Sequence, residues 1–112
     1  MIVYGIPNCD TIKKARKWLD NNKVDYQFHD FRKHGLDKSM LTAWVKQVGW
    51  ETLLNRRGTT WRKLPEKDRE SINEKSAINI MLESPAIIKR PVLVTGKKVI
   101  VGFNEDQYKQ LI

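Results

Sequence analysis

The pattern of apolar and polar positions changes period several times along the chain, and each change predicts an element. Met1-Ile2-Val3-Tyr4-Gly5 is an apolar run of β-formers stopped by Gly5 and Pro7, which reads as a buried strand. From Asp10 the period becomes helical. Ile12, Ala15, Trp18 and Leu19 share one face, and Lys13, Lys14, Arg16 and Lys17 spread over the rest. Asn8 or Asp10 suits the start of this helix, and Asp20-Asn21-Asn22 its stop. Residues 24–31 alternate loosely as a second strand, with Tyr26 and Phe28 on one face. A strand, a helix and a strand within about thirty residues form a βαβ unit with a right-handed crossover.

The middle of the chain reads as helical. Residues 36–48 place Leu36, Met40, Leu41, Trp44, Val45 and Val48 on one face, with Asp37 or Ser39 as cap and Gly49 as terminator. A short helical turn is expected over 51–55, another helix after Pro65, and one more over 76–82. Pro85 and Pro91 bracket a connection. Apolar runs at 91–95 and 99–103, separated by Gly96-Lys97-Lys98, predict a hairpin. Asn104 then caps a last helix over 105–112, with acidic residues in its first turn. No repeat, linker or low-complexity tract interrupts this order.

With 112 residues, 40% apolar and 30% charged, the chain has enough apolar content for one core and too much for a disordered protein. Its longest uncharged stretch, residues 1–9, is less than half of the roughly 20 residues that span a bilayer. No basic segment precedes that stretch and no small-residue cleavage site follows it. The expectation is therefore a cytoplasmic protein with no signal peptide and no membrane partner. A single cysteine excludes an internal disulfide, a Cys-x-x-Cys pair and any multi-cysteine zinc site. Lys and Arg total 21 against 13 Asp and Glu, a net charge of +8, which favours anionic partners without choosing among them.

Cys9 is the most informative residue. It lies in the turn between the first strand and the first helix, where unpaired N–H groups and the helix dipole lower a thiol pKa and make the sulfur nucleophilic. A buried, inert cysteine is the alternative, and position alone leaves the two open. Asp10 beside it is read as a helix cap whose charge raises the thiol pKa.

Pro7-Asn8-Cys9-Asp10 opening a helix, together with Arg90-Pro91 leading a strand, resembles the thioredoxin-like fold. Further segments resemble one branch of it, the family of arsenate reductase ArsC, the regulator Spx and the YffB proteins. They are Lys14-Ala15-Arg16-Lys17-Trp18-Leu19, Leu53-Leu54-Asn55-Arg56-Arg57-Gly58-Thr59-Thr60-Trp61 and Val101-Gly102-Phe103-Asn104-Glu105-Asp106. YffB is the closest in overall look. The resemblance implies an α/β, thioredoxin-like (ArsC-like) fold, a mixed four-stranded sheet with a helical insertion. It also implies one domain over residues 1–112, the insertion occupying about 36–89, and a cis bond before Pro91.

The arsenate reductases set three arginines around the cysteine. Arg90 matches one of them. Arg56 or Arg57 serves for a second, although an ungapped alignment places Asn55 there, and the third falls at Gly102, which offers no cation. Arsenate reduction is thereby weakened, because the lost guanidinium is a five-donor fork suited to an oxyanion. Spx-type switches use a second cysteine where this chain has Ile12.

The leading expectation is a monothiol, glutathione-dependent thiol reductase. Cys9 is its nucleophile and Arg90 its electrostatic partner, while Asn8, Lys13, Arg56, Arg57 and Pro91 hold glutathione or a small thiol or disulfide substrate. Glutathione is a co-substrate, and no cofactor is permanently bound. The alternatives are an Spx-like regulator that binds the C-terminal domain of the RNA polymerase α subunit, and a glutaredoxin-coupled arsenate reductase. Direct nucleic-acid binding by Arg56-Arg57-Gly58-Thr59-Thr60-Trp61-Arg62-Lys63 is not favoured, for want of a nucleic-acid fold. His29 and His34 read as solvent-facing or structural residues, so no metal is expected. Trp18, Trp44 and Trp50 read as core anchors.

Overall fold

A computed structural model of the chain describes residues 1–96 and 98–111. They divide into two units, Met1–Gly35 joined with the segment from Arg90 onward, and Leu36–Lys89.

The first unit is built on a mixed four-stranded sheet in the order β2-β1-β3-β4. β1 (Ile2–Gly5) pairs in parallel with β2 (Gln27–Asp30) and antiparallel with β3 (Val92–Thr95), which pairs antiparallel with β4 (Lys98–Val101). The register sets Phe28, Val3, Leu93 and Ile100 side by side in one row across all four strands. Residues in register share a face of the sheet, so a single row supplies one side of the core. α1 (Asp10–Asn21) lays Ile12, Ala15 and Leu19 against that row, and Tyr108 of α8 (Glu105–Lys109) completes the cluster.

β2 is shorter than the predicted strand. The Asp30 carboxylate accepts the Arg32 N–H at 2.8 Å and starts the helical turn α2 (Phe31–His34), so Phe31 leaves the strand. Asp30 is also the buried charged residue of the described core. β4 stops at Val101 because Gly102 turns the backbone to φ +82°, a conformation that favours glycine. The last helix ends at Lys109; Ile112, expected within it, and Lys97 of the expected hairpin turn lie outside the described residues.

The second unit is helical. It comprises α3 (Lys38–Val48), α4 (Trp50–Leu53), α5 (Thr59–Arg62), α6 (Glu66–Glu70), α7 (Glu74–Glu83) and a 3₁₀ turn (Pro85–Ile87). Leu41, Trp44, Val45, Leu53, Ala77, Ile78 and Met81 are its buried side chains along α3, α4 and α7. Asp37 caps α3 by accepting the Ser39 and Met40 N–H groups, so Leu36 stays outside the helix. The Ser39 hydroxyl and then these two N–H groups hold the Asp37 carboxyl below its ordinary value. α7 starts two residues before its predicted position because Asn73 and Ser76 form a reciprocal capping box. Leu54 and Ile88 make an isolated antiparallel bridge. No helix among the described residues is long and apolar enough to cross a membrane.

Tyr108 is fully buried, edge-on to Trp18 and Phe103, and its hydroxyl has no hydrogen-bond partner among the described residues. Burial pushes its phenol far above the ordinary value. Removing an unsatisfied buried hydroxyl removes its desolvation penalty. Tyr108→Phe is therefore expected to leave stability unchanged or raise it by up to about 2 kcal/mol in chemical denaturation. A loss of more than about 1 kcal/mol would show that the hydroxyl is satisfied.

Candidate functional site

The site begins at the N-terminus of α1. Neither Asn8 nor Asp10 caps this helix, contrary to expectation. The N-cap is Cys9 itself, with φ −98° and ψ 130°, and no side-chain oxygen fills the capping position. Cys9 still closes the first helical hydrogen bond, its carbonyl accepting the Lys13 N–H at 3.0 Å. An N-cap side chain normally accepts the second and third helical N–H groups. Here those belong to Thr11 and Ile12, and the sulfur stands where a Ser or Asp oxygen would be.

Cys9 is half-buried and packs against the sheet–helix core. Desolvation by that core raises its pKa. Backbone N–H groups of Ile12 and Thr11, a hydrogen bond from the Arg90 side chain and the Arg90 charge lower it, and the balance falls below the ordinary thiol value. The expected upward pull from Asp10 does not decide the outcome, since Asp10 is exposed and the net shift is downward.

Arg90 reaches the thiol from the other side of the sequence. It precedes β3, its peptide bond to Pro91 is cis as the resemblance implies, and Pro91 is fully buried. The Pro91 carbonyl accepts the Gly102 N–H at 2.8 Å, which fixes the start of β3 to the end of β4. Gly5 makes room for the Ile12 side chain. A Cβ there would collide with the Ile12 side chain and would lie 3.9 Å from Cγ of Arg90.

The structure thus brings the Arg90 side chain, on the residue before the cis-proline Pro91, to Cys9. Asn8 and Lys13 are exposed, one just before the helix and one a turn along it, and neither shifts the thiol. The unpaired N–H groups expected at this helix start are those of Thr11 and Ile12, which sequence reasoning did not single out. Ile12, the first core position of the helix, stands three residues after Cys9, the N-cap-to-N3 spacing that could have revealed them.

Arg56 and Arg57 belong to the helical unit and are exposed. The Arg56 guanidinium stacks over the rings of Trp50 and Trp61, 5.6 Å from each centroid. Trp50 is accordingly a half-buried wall of this stack and not the core anchor expected. Asn55 shapes the turn, its Oδ1 accepting the Arg57 N–H at 3.1 Å. His29 hydrogen-bonds the Gly35 carbonyl at 2.8 Å and packs on Tyr4, a structural role.

A helix-start cysteine beside an arginine and a cis-proline, on a β2-β1-β3-β4 sheet, defines a protein of the thioredoxin-like α/β class. The ArsC family model matches residues 4–111, and the chain belongs to the ArsC family. It is similar to the solved structure of the protein YffB (PA3664), at 50% identity and a TM-score of 0.94 over 97% of this chain and 96% of that one. An uncharacterized protein of Haemophilus influenzae is 45% identical over 96% of this chain and 94% of its own. The global transcriptional regulator Spx of Streptococcus pyogenes is 28% identical over 95% of this chain and 80% of its own.

A thiol whose folded pKa lies below its unfolded value adds stability that is complete above the unfolded pKa of about 8.5. That contribution is lost as the pH falls through the folded value. The gap in melting temperature between the wild type and Cys9→Ser is therefore expected to shift in favour of the wild type as pH rises from about 5 to about 9. A gap independent of pH would contradict a depressed thiol pKa.

Proposed function

We propose that this protein is a monothiol oxidoreductase that exchanges disulfides with glutathione through Cys9. The observation that carries the reading is the position of Cys9, at an N-cap with two backbone donors and Arg90 favouring its thiolate. The Cys9 thiolate attacks the glutathione sulfur of a mixed disulfide. The substrate leaves as a thiolate that takes a proton from water, and Cys9 becomes glutathionylated. A glutathione thiolate then attacks that sulfur-sulfur bond, restoring the Cys9 thiolate and releasing glutathione disulfide. The second thiol must come from outside, because the chain has one cysteine and Ile12 stands at the resolving position.

In this reading Arg90 stabilises the thiolate both as nucleophile and as leaving group. Lys13 and Asn8, both exposed near the start of α1, hold the glutathione carboxylates and backbone. Arsenate is a poor substrate. Gly102 supplies no cation, and its φ of +82° disfavours a side chain there, even though a Cβ would meet nothing within 4 Å.

The similarity to Spx favours a second reading, an adaptor that binds the RNA polymerase α subunit and does not depend on thiol turnover. Steady-state deglutathionylation of an S-glutathionylated peptide, with glutathione as reductant, separates the two. Turnover is expected to fall to background in Cys9→Ser. In Arg90→Ala, kcat/KM is expected to fall about 10- to 100-fold, the worth of one hydrogen bond to a charged group. A wild type no faster than Cys9→Ser would contradict the enzymatic reading and leave the adaptor.

A further inference from the structure

One face of α1 has no part in the thiol site. Lys14, Lys17, Trp18 and Asn21 recur at the spacing of a single helical stripe. With Phe103 and Glu105 they line an open pocket of about 230 Å³. Its apolar lining is aromatic. Trp18 and Phe103 are both half-buried and stand edge-on to the buried Tyr108 ring, with centroids 5.7 and 5.1 Å away. Tyr108 thus holds both rings in place from beneath, and the outer part of each stays available. Its polar lining is unbalanced, with two exposed lysines against one exposed carboxylate, in a chain of net charge +8.

Volume and charge narrow the occupant. Small-molecule sites commonly enclose roughly 300–1,000 Å³, so this pocket suits one inserted side chain better than a whole ligand. An aromatic slot with a charged rim is the form of a protein–protein anchor point. A nucleic-acid backbone needs a continuous cationic track. Glu105 on the rim and the exposed Asp10 and Asp20 at the two ends of α1 interrupt one.

We propose that this pocket docks an acidic protein segment, which inserts one aromatic or large aliphatic side chain between Trp18 and Phe103 and sets carboxylates on Lys14 and Lys17. Glu105 orients the segment by excluding its acidic residues from that part of the rim. Lys14 lies five residues after Cys9, about 8 Å along the helix axis, so the partner sits beside the thiol without requiring it.

The test is a ¹H–¹⁵N NMR titration of the full chain with the synthetic peptide Glu-Asp-Glu-Phe-Glu-Asp-Glu. Saturable shifts are expected at the Trp18 indole N–H and at the Lys14 and Phe103 amides, and are expected to persist in Cys9→Ser. Affinity is expected to fall at least tenfold when Ser replaces the peptide Phe, and equally in the doubly substituted Lys14→Glu, Lys17→Glu protein. Both positions are exposed, and its amide spectrum reports whether the fold is intact; Lys14→Gln with Lys17→Gln replaces it if the fold is lost. The absence of saturable shifts at millimolar peptide would overturn the proposal. So would equal binding of the Ser peptide, binding indifferent to the lysines, or tighter binding of oligothymidylate at the same signals.

Discussion

The first turn of an α-helix leaves N–H groups with no carbonyl to accept them, and at the start of α1 the acceptor in position is a sulfur atom. Thr11 and Ile12 provide the donors, and Cys9 provides the acceptor in the place of an ordinary capping oxygen. A neutral thiol fills that role poorly and a thiolate fills it well, so the helix favours ionisation. Much of the surrounding architecture keeps this contact in place. Ile12 is a core residue packed on the row Val3, Leu93 and Ile100, so the second donor is anchored by the hydrophobic core itself. Gly5 leaves room for the Ile12 side chain against β1, which a Cβ at that position would displace.

The same core also opposes the charge. Packing Cys9 against it removes water and raises the thiol pKa, and the two backbone donors and Arg90 together outweigh that cost. Arg90 arrives by a long route through the chain, on the residue that leads into β3 through a cis-proline. The pairing of Gly102 with the Pro91 carbonyl ties that approach to β4. Gly102 thus secures the strand junction and carries no cation. In the proposed reading the exchange is between sulfur atoms, which requires stabilisation of a thiolate but not of a fully charged tetrahedral oxyanion.

Long periodic elements were legible in the sequence. The apolar run of β1, the 3,4-spaced core face of α1 and the paired apolar runs of β3 and β4 marked these elements, and the resemblance to the thioredoxin-like fold joined the strands into one mixed sheet. What escaped had no period to read. α2 and α5 are single turns of four residues, set by the Asp30 carboxylate in one case and by local geometry in the other. Cys9 was legible as a lone cysteine at a strand-to-helix turn with unpaired main-chain donors; that these belong to Thr11 and Ile12 followed only from the exact start of α1. Trp18 and Trp50 followed helical spacing, yet each keeps a face outside the core, one lining a pocket and the other stacked on Arg56. Tertiary packing, which the hydrophobic period does not encode, decides how much of a large ring is covered.

The central claim is that the α1 N-terminus and Arg90 together lower the Cys9 thiol pKa. The most direct measurement is the pH dependence of Cys9 alkylation by iodoacetamide, in the folded wild type, in Arg90→Ala and in the urea-unfolded chain. The account predicts a wild-type pKa below the free value of about 8.5. It predicts an intermediate value in Arg90→Ala, where the backbone donors remain, and the free value in urea. A folded pKa at or above the unfolded one, indifferent to Arg90, would contradict it.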